Sequence, residues 1–172
     1  MPATKDDLLS RLGNLGIAHR THEHAAVYTV EEARALRGDI PGGHCRNLFL
    51  KDKKGKVFLV VLLEDTEVDL KRIHTVIGAS GRVSFGKPDL LMKLLGVIPG
   101  AVTPFGLIND TAGTVSVVLD AAMMEHEILN FHPITNEATT SISSADLARF
   151  VEATGHEPRV LDVSVAATAA VE

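Results

Sequence analysis

Apolar residues recur at helical spacing in several parts of the chain, with capping residues before them and glycines after them. Leu8, Leu12 and Leu15 form the first such stripe, which follows a capping Thr4 and ends at Gly16. Similar patterns predict helices at residues 5–15, 29–36, 68–77, 89–95 and 145–154 and a short helix at 121–127.

Between these helices lie short runs rich in Val, Leu, Ile and Phe, which indicate strands. The run Val57–Leu63 is apolar on both faces and is therefore expected at the centre of a sheet, joined to the run before it by a hairpin turn at Lys53–Lys56. Strands are predicted at residues 17–22, 47–50, 57–63, 82–85, 114–119, 129–134, 139–142 and 159–163. Helices and strands mix irregularly, which favours an α/β fold of the mixed α+β kind, with a curved, mostly antiparallel sheet.

Composition limits the class of protein. The 172 residues predict one domain, residues 1–165, and a frayed tail, residues 166–172. The single Cys45 excludes an intramolecular disulfide, and neither a signal peptide nor a membrane-spanning apolar run is evident, so a cytoplasmic protein is expected. The net charge of −5 argues against a protein that coats nucleic acid, but it is compatible with a site that grips only the tip of an RNA.

The segment from Gly100 to Pro104 is unusual for a helix-to-strand connection. Glycine allows close approach of the backbone, and Pro104 pushes Thr103 into an extended conformation. Such a stiff bend can direct its N–H groups at a ligand carbonyl or ribose. It can equally be a structural turn without a ligand.

Polar residues that could carry chemistry occur in two other segments. Arg46 can hold an anion and Asn47 can both donate and accept a hydrogen bond. His132, before a proline, can act as a donor, a general base or a ribose contact. Adjacent residues of a strand point to opposite faces, so His44 and Cys45 are badly placed as a nucleophilic pair, and Cys45 is expected to be a small apolar residue.

The remaining histidines suggest no strong site. Of His19, His22 and His24, only His22 and His24 would share one strand face, and no third metal ligand has a recognisable spacing, so no metal site is predicted. The others, His74, His126 and His156, are expected at the surface.

Three motifs together resemble one known family. They are Arg46-Asn47-Leu48-Phe49-Leu50-Lys51-Asp52, Gly100-Ala101-Val102-Thr103-Pro104-Phe105 and Asn130-Phe131-His132-Pro133. In this combination they resemble the YbaK/ProX group of editing domains, which are related to the insertion domain of bacterial prolyl-tRNA synthetase. The resemblance extends from about residue 5 to residue 163.

The resemblance implies the family's fold, a curved mixed sheet or barrel surrounded by helices, and no cofactor. It implies a hydrolase that deacylates mischarged tRNA by attack of water on the ester. The chain is most similar to the branch that clears alanyl-tRNA(Pro), and cysteinyl-tRNA(Pro) is the second candidate substrate. The chain is expected to meet the acceptor end of an aminoacyl-tRNA and a synthetase or elongation factor, as a monomer or homodimer. Arg46 stands where the family has Lys, and it keeps the charge but changes its geometry.

Residue roles follow from the same resemblance. The catalytic group is Arg46, Asn47, Gly100, Pro104 and His132. The substrate-contacting group is Val27, Tyr28, Phe49, Ile98, Ala101, Val102, Thr103, Phe105 and Asn130. Two alternatives remain: a catalytically weakened module that binds aminoacyl-tRNA or a synthetase, and a metal or thiol hydrolase that uses His44 and Cys45.

Overall fold

The fold is built on a curved sheet with both parallel and antiparallel pairs. A computed structural model describes residues 2–26, 31–32, 35 and 40–164. The eight described strands are β1 His19–Glu23, β2 Gly43–Lys51, β3 Val57–Leu63, β4 Ser84–Phe85, β5 Val115–Asp120, β6 Ile128–Phe131, β7 Ala138–Ser143 and β8 Pro158–Leu161. Their order is β1-β7-β6-β2-β3-β5-β8, with β4 also paired to β2. The predicted central position of β3 and the mixed α/β class are confirmed.

Helices cover this sheet on two sides. The described α-helices are α1 Lys5–Asn14, α2 Ile73–Ile77, α3 Pro88–Leu95 and α4 Ser144–Ala153, and 3₁₀ helices occupy Pro99–Ala101, Pro104–Asn109 and Met123–Glu125. Thr4 caps α1 in a capping box with Asp7, as its sequence indicated. No described helix is long and apolar enough to cross a membrane.

Two apolar cores lie on opposite faces of the sheet. The large core packs the sheet against α1, α3 and α4 and includes Phe49, Phe105 and Phe131. The small core lies beneath α2 and includes Leu48 and Leu50. Because side chains alternate along a strand, β2 contributes its odd-numbered residues to the large-core face and its even-numbered residues to the small-core face.

Several boundaries differ from the sequence-based expectation. The helix expected over 68–77 is limited to α2, because the backbone before it forms a turn in which Asp69 O accepts from the N–H groups of Arg72 and Ile73. Ser143, rather than Ser144, caps α4. Of the helix expected at 29–36, only residues 31, 32 and 35 are described, and all are helical; the predicted tail lies outside the described residues.

Candidate active site

The edge of β2 opposite β3 is only partly paired. Glu64 N donates to His44 O, so the even-numbered residues of β2 bond to β3, whereas Gly86 N donates to Phe49 O on the other edge. On that edge β6 pairs with the first two residues of β2 and β4 with the last two. Within the described part of the chain, no strand pairs with β2 between them. We call this interval the slot, and the backbone N–H and C=O of Asn47 face it.

Arg46 and Asn47 take opposite sides of the sheet at the slot. Asn47 shares the large-core face with Cys45 and Phe49, while Arg46 shares the small-core face with Leu48. The amide oxygen Oδ1 of Asn47 is buried and has no hydrogen-bond partner. Arg46 and Asn47, both assigned to the catalytic group, therefore face opposite sides of the sheet, because adjacent strand residues diverge.

The guanidinium of Arg46 is directed towards the β3 side of β2. Its Nη2 donates to Thr66 O at 2.8 Å, in the loop that follows β3. This side chain is exposed and borders a depression of about 570 Å³ lined by the acidic segment from Glu64 to Asp69.

His132 stands at the β6 end of the slot. The last pair between β2 and β6 joins His44 to Asn130, so His132 and Asn47 follow shortly after the point where the two strands separate. His132 Nδ1 lies 3.1 Å from Ala138 O. A carbonyl only accepts, so Nδ1 carries the proton, and no described residue bonds to Nε2, which keeps a lone pair.

The surroundings of His132 favour the neutral imidazole. Burial is the main cause that lowers its pKa, and the nearby His24 lowers it further, while the bond to Ala138 O acts in the opposite direction. His24 is itself held by Thr139 Oγ1, 2.8 Å from its Nε2. A neutral imidazole with a free Nε2 can accept a proton or a hydrogen bond.

The turn after His132 contains Asn136, a candidate site residue that the sequence-based prediction missed. Ile134 has φ 72°, which is strained for a β-branched residue, and its N–H donates to His132 O at 3.1 Å around Pro133. Asn136, only 5% exposed, ends this turn, and its Nδ2 is buried without a hydrogen-bond partner. A Cβ added to Gly100 would lie 3.4 Å from that Nδ2, so the bend and the turn meet there.

Only the first part of the bend is accessible. Gly100 is exposed, and Thr103 is extended as expected, with φ −159° and ψ 147°. The following part packs into the large core: Ala101, Thr103, Pro104 and Phe105 are buried. Thr103 Oγ1 caps the next 3₁₀ helix by accepting from Phe105 N at 3.2 Å. Burial of these side chains argues against Pro104 as a catalytic residue and against Ala101, Thr103 and Phe105 as substrate contacts.

Comparison with known proteins identifies the kind of domain that carries this slot. A family model described as "Aminoacyl-tRNA editing domain" matches residues 24–150. The chain is 41% identical over 160 residues to mouse prolyl-tRNA synthetase associated domain-containing protein 1, covering 91% of this chain and 94% of that protein. It is 35% identical over 160 residues to the prolyl-tRNA editing protein ProX of Acetoanaerobium sticklandii, covering 92% of this chain and 97% of that protein.

The chain belongs to the aminoacyl-tRNA editing domain family. A solved structure described as a candidate trans-editing enzyme for prolyl-tRNA synthetase has the same fold, with a TM-score of 0.69 and 19% identity over 94% of this chain and 99% of that one. The resemblance drawn from the three motifs, and the fold expected from it, are confirmed.

Not every residue expected to contact substrate reaches the slot of this editing domain. Asn130 is 3% exposed and its amide is fully engaged: Nδ2 donates to Pro41 O and Gly43 O, and Oδ1 accepts from Ser141 Oγ. Its side chain therefore joins β6 to its neighbours and is unavailable to a substrate. This corrects its assignment as a substrate contact.

The expected pocket walls divide into core and surface. Phe49 and Phe105 belong to the large core, and Phe105 makes edge-to-face contacts with Phe131 and Phe150 at centroid distances of 5.9 and 5.4 Å. Ile98 is 52% exposed and Val102 is half-buried, so these two remain candidates beside Gly100. Val27 and Tyr28 lie outside the described residues.

The thiol and metal alternatives find no support in the geometry. Burial raises the pKa of the Cys45 thiol to about 12. His44 lies on the other face of β2, where its Nε2 is 2.8 Å from Ile40 O. Among the described residues, no group of three or more His, Cys, Asp or Glu side chains is placed to hold a metal ion.

Proposed function

We propose that this chain is a trans-editing hydrolase that deacylates mischarged tRNA(Pro), with alanyl-tRNA(Pro) as its principal substrate. The observation that carries the proposal is a set of polar atoms without partners among the described residues: Asn47 Oδ1 on the large-core face of the slot, His132 Nε2 on the opposite face, and Asn136 Nδ2 in the turn that follows His132. Buried polar groups are nearly always paired in folded proteins. Two such groups, one on β2 and one in the turn after β6, in a member of the editing family, support a site that is completed by substrate.

The three groups match the three polar parts of an aminoacyl ester. Asn136 Nδ2 is a donor for the ester carbonyl oxygen, which becomes negatively charged when water attacks. Asn47 Oδ1 is an acceptor for the ammonium group of the amino acid. His132 Nε2 accepts a hydrogen bond from the terminal ribose hydroxyl or from the attacking water.

The reaction needs no further group in this scheme. The oxygen of water bonds to the carbonyl carbon, the bond from that carbon to the ribose oxygen breaks, and the ribose oxygen leaves with a proton. An aminoacyl ester is already activated, so positioning and stabilisation of the oxyanion are sufficient sources of rate.

Arg46 has a supporting role in this proposal. It shares the small-core face with His132, although its guanidinium is bound to Thr66 O. We assign it to the terminal phosphate of the tRNA, which a guanidinium can contact as a lysine does. It is not assigned to proton transfer, because a guanidinium does not lose its proton.

Selection of the amino acid depends on exclusion by size. One methylene in an apolar pocket changes binding by only about 1–3 kcal/mol, so attraction alone would not separate alanine from proline. The exposed Ile98 and the half-buried Val102, beside Gly100, are the described residues best placed to limit the space. Cysteine is a second candidate residue on the same tRNA.

The test is a panel of alanyl-, cysteinyl- and prolyl-tRNA(Pro), with release of the amino acid measured against buffer. We expect alanyl-tRNA(Pro) to be hydrolysed fastest and prolyl-tRNA(Pro) to remain charged. If none is hydrolysed faster than in buffer, the enzymatic proposal is wrong. Tight binding of these tRNAs without turnover would instead identify the chain as a binding module.

A further inference from the structure

We propose that a groove on the small-core face holds the unpaired nucleotides that adjoin the esterified end of the tRNA. This inference rests on the proposed function, because it assigns another part of the same substrate. The groove encloses about 720 Å³ where β1 begins, β7 ends and β6 begins. Pockets of 300–1,000 Å³ are typical for bound small molecules, so this volume suits one or two nucleotides.

The lining of the groove combines apolar walls with flat cationic or aromatic groups. Its apolar part includes Ala18 and Ile128, and its polar part includes Arg20, His22 and His126. Proteins that bind single-stranded RNA stack its bases on imidazole or guanidinium planes and on other flat side chains. The lining therefore offers surfaces for bases and a cation for a phosphate.

Two of the polar groups at the groove lack partners inside the protein. Arg20 is exposed, and no hydrogen bond or ion pair engages its side chain within the described residues. His19 also lines the groove, and its Nδ1 is buried without a hydrogen-bond partner. The exposed guanidinium of Arg20 is thus available to a ligand, whereas the buried Nδ1 of His19 is not, because His19 is opposite Ile142 of the large core.

Two carboxylates line the groove as well. Asp146 is bound to Arg149 at 2.7 Å, and Glu127 lies on an exposed segment. Because these carboxylates repel phosphates, they limit the number of phosphates that the groove can accept. We therefore assign it one phosphate contact, at Arg20, and expect most of the binding energy from base contacts.

The groove lies on the same face of the sheet as His132, at the far side of β7. Arg20 is opposite Ser141 in the β1–β7 pair, and His22 is opposite Thr139. Two residues along a strand span about 7 Å. Thr139 Oγ1 lies 2.8 Å from His24 Nε2, and His24 is near enough to His132 to lower the pKa of that imidazole. A strand of RNA with its ester at His132 would therefore run along β7, past Ser141, into the groove.

The test uses two substrates that differ in the nucleotides beyond the ester. One is alanyl-tRNA(Pro), and the other is the alanyl ester of adenosine, which has no neighbouring nucleotide. The variants are Arg20→Ala, which removes the proposed phosphate contact, and Ala18→Glu, which adds a bulky negative group to the exposed apolar wall. Lys54→Ala is the matched control, since it removes one charge from the exposed turn at the far end of β2.

We expect both groove variants to lower kcat/KM for alanyl-tRNA(Pro) about tenfold, mainly through KM, as loss of one charge-assisted contact would. Hydrolysis of alanyl-adenosine should change less than about twofold, and the control should resemble wild type on both substrates. Binding of uncharged tRNA(Pro) at increasing KCl gives a second measurement. For Arg20→Ala the slope of log K against log salt should be shallower by about 0.7.

The assignment would be overturned if the groove variants lowered kcat/KM equally for both substrates. It would also be overturned if they left kcat/KM for alanyl-tRNA(Pro) and the salt slope unchanged. If wild type hydrolyses neither substrate, the proposed enzymatic function is wrong, while the salt slopes still decide whether RNA occupies the groove. A competition experiment gives a further check on the assignment to RNA. A short RNA with the tRNA 3′ sequence should compete with uncharged tRNA(Pro) for binding. If only a peptide or another protein competes, the assignment to RNA is also wrong.

Discussion

Two buried asparagines offer a sharp test of the proposed site, because one is bonded inside the protein and the other is not. Asn130 makes three side-chain hydrogen bonds, to Pro41 O, Gly43 O and Ser141 Oγ. Asn136 is similarly buried, but its Nδ2 has no partner. The same substitution, to alanine, should therefore have opposite consequences at the two positions.

For Asn136→Ala we expect a catalytic loss with little change in stability. Loss of one donor to a developing oxyanion lowers kcat by about 10²–10³-fold. The free energy of unfolding should change by less than about 1 kcal/mol, because the substitution removes a buried donor that the folded protein leaves unpaired and so offsets part of the lost packing. Single-turnover deacylation of alanyl-tRNA(Pro) and urea unfolding measure the two quantities.

Asn130→Ala is the matched control. Three lost hydrogen bonds, at about 1 kcal/mol each, should lower the free energy of unfolding by about 3 kcal/mol. Activity of the folded fraction should stay near wild type, since this amide does not face the slot. The reasoning is refuted if Asn136→Ala loses more than about 2 kcal/mol of stability while kcat is unchanged.

Three further predictions follow from the same structure. Arg46→Ala should raise KM for alanyl-tRNA(Pro) about tenfold with kcat nearly unchanged, and Arg46→Lys should restore KM; a large gain of kcat in Arg46→Lys would instead indicate a degenerate site. Because the pKa of His132 is lowered and its neutral form is the base, kcat/KM should fall with decreasing pH only below pH 6.5. A decrease that already begins above pH 6.5 would exclude His132 as the base. Asp110→Ala should destabilise the fold by about 3–5 kcal/mol in urea unfolding, since buried Asp110 accepts from His156 Nε2 at 2.7 Å and from the N–H groups of Thr114 and Val115; a loss below about 1 kcal/mol would contradict this.

Elements with strong local signals were predictable from the sequence. The capped α1, the apolar β3 and the helix α3 between Pro88 and Gly96 all appear close to their expected bounds. Elements fixed by tertiary contacts were not. The expected surface position of His156 is wrong, because this side chain is 2% exposed and pairs with Asp110, a partner 46 residues away that no local pattern reveals.

The sequence predicted which segments form the candidate site, but not which way their side chains face or which of them lack partners. The three motifs do converge on one part of the sheet, but the alternation of β2 separates Arg46 from Asn47. That alternation was available from the sequence once β2 was assigned as a strand. The unpaired Nδ2 of Asn136 had no such signal, since an asparagine in a turn is ordinary and only its burial against Gly100 distinguishes it.

The slot itself argues for a ligand on energetic grounds. An unpaired strand edge exposes backbone groups that other chains can pair with, and burial of such groups without partners costs free energy. Here the interruption falls inside a sheet, between β6 and β4, and not at its border. A substrate that bonds to Asn47, Asn136 and His132 would satisfy these groups only when it is bound. Within the described residues, these polar groups therefore stay unpaired at the position where, in the proposed function, an ester would bond to them.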